Sequence, residues 1–466
     1  MKSGTFRKEP AAQPSGLRLT RPLPGRGDER ASVLIIVLWI SVGLVGIALY
    51  FANAMTFELR ASDNRTSGLA TEQAIEGAAR YVSYVLSNFA TNGAVPDRAE
   101  FACEAVPVGD AHFWIIGRAP SGTVSSEPYF GLIDEGSKLN LNVADSNTLS
   151  CLPGMTLDFA DAIVDWRDTN GAMSLNYAQL GYLPKHSPFE TVDELRLVYG
   201  ATLELLAGED LNRNGVLDAN ERNLNGNGEA DPGLLEYASV YTREPNFHSD
   251  GTALTNVNSG NRNDLQALLQ AYLGSSRAGQ IMAQLGFESG GGGGTIRFAG
   301  LLDFYLRCRM TSAEFGQMIN DVATTDSPYT YGRVNVNTAS AAVLGALFMG
   351  IGVDQNAALS AAQQLVTYRQ QNPNNLSSIA WIVDALGTSN PAVRALAEGD
   401  YITTRSFQFT ADIGAVGPYG RGYRRVKFIF DTSDGTPKII YRQDLSRLGW
   451  ALGSKTRQTW VAQNTR

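Results

Sequence analysis

The stretch ASVLIIVLWISVGLVGIALYFANA, residues 31–54, contains no ionisable side chain. It exceeds the roughly 7–15 apolar residues of a cleaved secretory signal and reaches the about 20 that a helix needs to cross a bilayer. Thirty polar, arginine-dotted residues precede it, and some four hundred of water-soluble character follow. Three classes remain: a secreted protein, a protein held by one span, or a subunit whose membrane helix is the stem of an assembly.

The residues beyond the run favour a stem. No proline occurs between Pro24 and Pro96, and Ala70, Ala74, Ala78, Val82, Val85 and Phe89 recur at helical spacing, with Arg65, Glu72, Glu76 and Arg80 mostly elsewhere. One helix is predicted from Ser32 to Phe89, roughly 87 Å long at 1.5 Å per residue. Charge sets its orientation. The first 31 residues carry seven basic and three acidic groups, a net +4 within a chain of net −8, so the remainder carries −12. A basic leader stays on the cytoplasmic side and the acidic body is exported. An acidic body also disfavours nucleic acid as the main partner. Cys103, Cys151 and Cys308 are too few for a disulfide scaffold.

The junction RGDERASVLIIVLWI resembles the leader-peptide junction of type IV pilin-like proteins. The resemblance implies cleavage between Ala31 and Ser32 by a prepilin peptidase, with N-methylation of the new terminus. It also implies a helix half in the membrane and half packed on a head. Most such proteins carry glycine before the cut and glutamate at the fifth mature position; here Ala31 and Ile36 stand there. In the family that glutamate meets the amino terminus of the preceding subunit, and a carboxylate within a membrane is costly without such a partner. Ile36 therefore fits a subunit with no predecessor. The minor pseudopilin K of type II secretion systems (general secretion pathway protein K) is the branch that lacks the glutamate, and its apolar run is similar to LIIVLW at Leu34–Trp39.

The body contains a threefold pattern: NLNVADSNTL (Asn140–Leu149), NVNSGNRNDL (Asn256–Leu265) and NVNTASAAVL (Asn335–Leu344). Each reads as a short extended piece entering a helix, with Asp, Ser or Asn placed to cap it. Each is followed by a second apolar segment, Phe189–Gly200, Phe298–Cys308 or Leu376–Gly387. Repetition on this scale predicts stacked helical units. Cys151–Asp168 and Phe348–Gln370 read as helix-hairpin-helix cores, each with a glycine turn and a terminal aromatic–Arg pair, Trp166–Arg167 and Tyr368–Arg369. Such turns offer backbone N–H groups to phosphate in DNA-binding proteins, so a membrane-anchored DNA receptor of the competence type is the rival reading. Met155, Thr156, Leu157 and Asp158 after Gly154, and Val353 and Asp354 after Gly352, supply no cation to such a turn. DEGSKLNLNVA at Asp134–Ala144, with LPGM, ADAIVDWRD and PFETVDELRLV downstream, resembles the helical domain of the same secretion protein K.

DLNRNGVLDANE (Asp210–Glu221) has the spacing of an EF-hand-type Ca²⁺ loop. Asp210, Asn212, Asn214, Asp218 and Glu221 hold positions 1, 3, 5, 9 and 12, Gly215 takes the sharp turn, and Val216 offers its carbonyl. Asn223, Asn225, Asn227 and Asp231 repeat the pattern 13 residues on, but Leu234 stands at position 12, with Glu236 the candidate substitute. Three carboxylates in the first loop predict moderate to low affinity, and the second loop is weaker. The resemblance likewise implies structural Ca²⁺ in this region, and its role would be to hold a loop without a core of its own.

Strands are predicted at Ala111–Arg118, Tyr129–Glu135, Ser406–Ala415, Arg424–Ser433 and Lys438–Leu445, on both sides of the helical region. The predicted fold is α+β: a pilin-like long N-terminal helix on an antiparallel sheet, with a large inserted domain of helix-hairpin-helix-like (SAM-like) repeats. The expected divisions are a leader at 1–31, a transmembrane part at 32–54 and a first part of the head at 55–135. The insertion follows at 136–400 with the calcium region at 208–236, then strands completing the head at 401–452 and a disordered tail at 453–466. SGGGGGT at 289–295 is expected to be a flexible loop. His112, His186 and His248 lack metal spacing, and no nucleophile elbow or phosphate loop occurs, so no catalytic residue is expected. The resemblance implies a minor pseudopilin at the tip of a periplasmic pseudopilus, anchored in the inner membrane. Its partners would be minor pseudopilins of types I and J, the major pseudopilin and the inner-membrane assembly platform.

Overall fold

The computed structural model describes residues 28–120, 125–169, 174–259, 262–286 and 297–462, and it divides into two compact units, residues up to Asn64 and residues from Arg65. The leader to residue 27, the glycine-rich loop at 289–295 and the last four residues lie outside the described residues.

The N-terminal helix runs without a break over Asp28–Phe89, so the helix begins before the predicted processing point. Within the first unit, every large apolar side chain from Val33 to Leu59 is more than half exposed, Trp39 by 74%. The helix is long and apolar enough to cross a membrane by length and composition.

In the second unit the same helix becomes amphipathic. Ala74, Ile75, Ala78, Ala79, Val82, Val85 and Leu86 form a stripe no more than 3% exposed, and the alanines let a sheet approach closely. That sheet starts with β1 (Val106–Val108), β2 (Ala111–Ile116) and β3 (Ile133–Asp134). β3 is shorter than expected. Only a bridge from Phe130 to Ile116 precedes it, and the Asp134 side chain caps a turn over Glu135–Ser137 by accepting from the Gly136 N–H at 2.7 Å.

The chain then leaves the sheet for three helical units. The first opens on β4 (Leu139–Asn140) and closes on its parallel partner β5 (Ala238–Ser239); β6 (Arg243–Pro245) follows. The second opens on β7 (Thr255–Asn256) and closes on β8 (Val322–Ala323), before β9 (Tyr329–Tyr331), which pairs antiparallel with β6. The third opens on β10 (Val334–Asn335) and closes on β11 (Ile402–Thr403).

The repeated asparagines account for this closure. In each unit the first asparagine's Oδ1 accepts the N–H of the second: Asn140 from Asn142 at 2.8 Å, Asn256 from Asn258 at 2.8 Å, Asn335 from Asn337 at 3.0 Å. The second asparagine's Nδ2 donates to the carbonyl of Phe189, Phe298 or Leu376, each at 2.9 Å. Oδ1 of Asn142 and Asn258 accepts the N–H of the same phenylalanine in return, at 2.7 and 2.8 Å. Asn337 instead accepts the indole N–H of Trp381 at 2.9 Å. A short amide thus clamps the start of each unit to its far segment.

Each unit also contains two helical stretches around a left-handed glycine: Gly154 (φ 72°) between Ser146–Ser150 and Leu157–Arg167, Gly274 (φ 78°) within Arg262–Gln284, and Gly352 (φ 93°) between Ala341–Gly350 and Gln355–Gln371. A side chain at such a φ would be strained. The middle unit therefore shares the interrupted helix that its sequence conceals. One continuous apolar core runs through all three units.

The sheet resumes with β12 (Gln408–Val416), β13 (Tyr423–Asp431) and β14 (Lys438–Asp444). Strand order is β1-β2-β12-β13-β14, with β3 also paired to β12, and all pairings are antiparallel. One face presents Phe409, Ala411, Ile413, Ala415, Val426, Phe428 and Phe430 to a second core shared with the N-terminal helix. The other presents Gln408, Thr410, Asp412, Arg425, Lys427 and Asp431, yet β12 is buried along its whole length. The helical units cover that polar face.

The tail departs from expectation. Gly453–Arg457 and Gln458–Ala462 are helical, and Trp460 packs on His112 and Trp114 with ring centroids 4.3 and 5.6 Å apart. Sequence composition hid the partner of that aromatic ring. All three cysteines are free thiols.

Candidate functional site

The loop Asp210–Glu221 folds around its own oxygens. The Asp210 carboxylate accepts the N–H of Asn214 at 3.0 Å and of Gly215 at 2.8 Å. Asn212 Oδ1 accepts from Asn214 and Asn214 Oδ1 from Val216 at 3.1 and 2.9 Å. Glu221 accepts from Asn212 N and Asp218 N at 3.1 and 3.0 Å. Arg213 (φ 58°) and Gly215 (φ 82°) take the left-handed conformations that wind the loop inward. Asp210, Asn212 and Asn214 are buried. The amide nitrogens of Asn212 and Asn214 both donate to Asp218 Oδ2, at 2.6 and 2.8 Å.

The electrostatics of this loop are unbalanced. Burial pushes the Asp210 carboxyl up, only partly offset by the Arg118 guanidinium. Burial also pushes Glu221 up, and Asp210 and Asp218 add to the rise. Among the described residues no three His, Cys, Asp or Glu side chains group as a metal site on their own. The side-chain oxygens of this loop are a mixed set of carboxylates and amides. Hard oxygens on an inward-wound loop with surplus negative charge fit a divalent cation of the calcium type.

The second loop is built alike but exposed. Asn223 Oδ1 accepts from Gly226 N at 2.8 Å, Asn225 Oδ1 from Asn227 N at 3.0 Å and Asn227 Oδ1 from Glu229 N at 2.8 Å. The Asn225 and Asn227 amides donate to Asp231, at 2.5 and 3.3 Å. Glu236 does not close this loop; it pairs with Arg118 Nε at 2.7 Å. Glu209, which lies upstream of the motif, is there instead. It accepts the N–H of Leu224 at 2.5 Å and of Asp231 at 3.2 Å. The Gly208–Pro232 bridge carries it into place.

The first loop is fixed to the polar face of the sheet. Arg425 on β13 is fully buried. It donates to both oxygens of Asp412, at 2.8 and 2.5 Å, and to the carbonyls of Asn212 and, at 2.8 Å, Arg213. Asn212 Nδ2 donates to the Trp450 carbonyl at 3.2 Å. Further along, Asp134 accepts from Gly136 N, Asn335 Nδ2, Thr338 Oγ1 and Ser406 Oγ, and burial holds its pKa at about 6. Asp431 receives Arg243 Nε at 3.0 Å and Gln408 Nε2 at 2.9 Å. The sheet and the helical units thus meet through ion pairs and hydrogen bonds.

The features that suggested phosphate binding are otherwise occupied. Arg167 donates to the carbonyls of Leu141 and, at 2.7 Å, Ala144; Arg369 donates to Val336 O at 2.9 Å. The amides after the glycine turns are capped internally: Thr156 accepts from Phe159 N at 3.3 Å, and Asp354 from Asn356 N and Ala357 N at 3.0 and 3.3 Å. At the third unit's turn the Asp354 carboxylate on those amides excludes an anion, and at the first the Thr156 hydroxyl occupies one of them.

Ala31 and Ser32 lie within the N-terminal helix, and Ile36 is 54% exposed in its apolar stretch. No protein-family profile and no curated protein matches the chain. Among solved structures, the chain aligns with one in the crystal structure of the GspK–GspI–GspJ complex from the enterotoxigenic Escherichia coli type 2 secretion system. The alignment covers 83% of this chain and 99% of that chain, at 10% identity and a TM-score of 0.39.

Proposed function

We propose that this protein is a K-type minor pseudopilin of a type II secretion system, acting by assembly and not by catalysis. The observation that carries the reading is the N-terminal helix. One uninterrupted element contains an apolar stretch long enough for a membrane and an alanine-rich stripe packed on an antiparallel sheet. Its apolar stretch holds Ile36 where the resembled family keeps a glutamate. A subunit without that carboxylate needs no predecessor, so it takes the tip of a periplasmic pseudopilus and starts its assembly. The partners are minor pseudopilins of types I and J, then the major pseudopilin and the inner-membrane platform. The body lies in the periplasm and the stem in the inner membrane. The three clamped units are helix-hairpin-helix-like, SAM-like modules used for protein contact. Asp210, Asn212, Asn214, Val216, Asp218 and Glu221 hold a structural Ca²⁺, which would compensate the loop's surplus charge. The DNA-receptor reading loses its support with Arg167, Arg369 and the capped turns.

The test is the mass of the amino-terminal peptide of the protein isolated from its native membrane. A peptide beginning at Ser32 and carrying an N-methyl group is expected. An intact leader continuing through Arg30 refutes the reading.

A further inference from the structure

A cleft of about 490 Å³ lies where the end of the N-terminal helix, the loop after β6 and the turn between β13 and β14 meet. That volume is within the about 300–1,000 Å³ of ligand sites, which favour seams between structural layers. Leu86, Phe247, Leu254 and Phe407 give the cleft apolar walls. Two polar side chains that line it are under-used. Ser433 is 4% exposed and fixed by its N–H, which donates to Asp431 at 2.9 Å, yet its hydroxyl has no hydrogen-bond partner among the described residues. Arg405 gives only Nη2 of its guanidinium to a protein acceptor among those residues, Glu244 at 3.2 Å, although such a group carries five N–H donors. The guanidinium carbon lies 5.9 Å from the centroid of the Phe407 ring, so the charge stands beside an aromatic wall.

We propose that this cleft binds the carboxyl terminus of a polypeptide whose last residue is large and apolar. Arg405 pairs with the terminal carboxylate, the Ser433 hydroxyl donates to it, and the last side chain lies against the apolar walls. The under-used donors decide the chemistry. A purely apolar ligand would take the Arg405 N–H groups and the Ser433 hydroxyl out of water without an acceptor, a penalty that a carboxylate removes. A second negative charge fits less well. Glu244 already sits on Arg405, and Asp321, 3.3 Å from His248 Nε2 on the cleft wall, would repel it, so a single carboxylate is preferred to a phosphate dianion. Asn92, Ser249 and Asn320 also line the cleft. Their polar side chains suit the amide groups that precede a terminal carboxylate, not the hydrocarbon tail of a fatty acid.

The experiment is fluorescence anisotropy on the full chain in detergent. The probe is a labelled glycine–serine peptide ending in leucine and phenylalanine, offered as the free acid or as the C-terminal amide. Saturable binding of the free acid is expected, with the amide at least about tenfold weaker, as for the loss of a hydrogen bond to a charged group. Arg405→Gln should bring the free acid down to the level of the amide and leave the amide unchanged. Glu244 keeps Arg333 at 3.5 Å, so this substitution leaves no carboxylate without a cation. Ser249→Trp, at an exposed position on the cleft, should block both peptides with thermal unfolding unchanged, which keeps the proposal testable if Arg405→Gln does not fold. Equal affinity for acid and amide, a preference for the acid that survives Arg405→Gln, or binding that Ser249→Trp does not reduce overturns the inference. So does a parent chain that shows no saturable binding of the free acid.

Discussion

Replacing Arg425 by methionine tests how the first loop is joined to the sheet. Methionine keeps most of the buried volume but removes the charge and every donor. Asp412, 5% exposed through its side chain, is left as an unpaired buried carboxylate, a loss of about 3–5 kcal/mol. The carbonyl of Asn212 loses its Arg425 donor as well, at about 1 kcal/mol, while that of Arg213 keeps the Arg118 guanidinium at 3.3 Å. A loss of about 5 kcal/mol would speed opening-limited hydrogen exchange by about three to four orders of magnitude. Exchange should rise across β12, β13 and residues 210–221 together, because the same guanidinium holds all three. It should stay unchanged in the third helical unit, which has its own asparagine clamp. Adding Asp412→Leu to Arg425→Met should recover most of the loss, since an apolar pair replacing a buried ion pair is often neutral. The Asn212 carbonyl would remain without the Arg425 donor. If the double variant exchanges as fast as Arg425→Met alone, the stranded carboxylate is not the cause and the argument fails.

The asparagine clamps predict a pattern shared by the three units. Asn142→Ala strands a backbone carbonyl and an N–H, at about 2–4 kcal/mol in total, Asn258→Ala strands an N–H and the carbonyls of Phe298 and Thr324, and Asn337→Ala strands one carbonyl and the Trp381 indole. Unit-resolved hydrogen exchange should confine each loss to its own unit. Asp134, held at about 6 against an ordinary 3.8, should make pH dependence visible. Its folded-state pKa is raised, so its stabilising contribution is complete below about pH 4 and is lost as pH rises through about 6. The shift of about 2 units corresponds to about 3 kcal/mol. Denaturation of the parent chain and Asp134→Asn at pH 4 and pH 7 should show the parent's advantage shrinking by about that amount at the higher pH.

The winding of the first loop was readable because its determinants are local. An EF-hand-type loop must place oxygens and a glycine at fixed intervals along one segment, so spacing alone picks out Asp210 to Glu221. The asparagine repeats were visible for the same reason, although only the structure gives their purpose, since each amide bonds a residue some forty positions away. Glu209 escaped notice because it reaches the second loop from outside it, and the downstream Glu236 was taken by Arg118.

Sequence alone determined the apolar stretch, the amphipathic continuation of its helix and the two-faced strands, because helical and strand periods act between near neighbours. Tertiary structure alone decided what lies against the second face. Gln408, Thr410 and Asp412 alternate with Phe409, Ala411 and Ile413, as they would in a strand with one side in water. All six are buried, because the helical units meet that face with Arg243, Glu135 and the loop carbonyls held by Arg425. A period-two pattern records that one face is polar. It carries no information on whether water or a polar protein surface satisfies those hydrogen bonds, because both supply the same donors and acceptors.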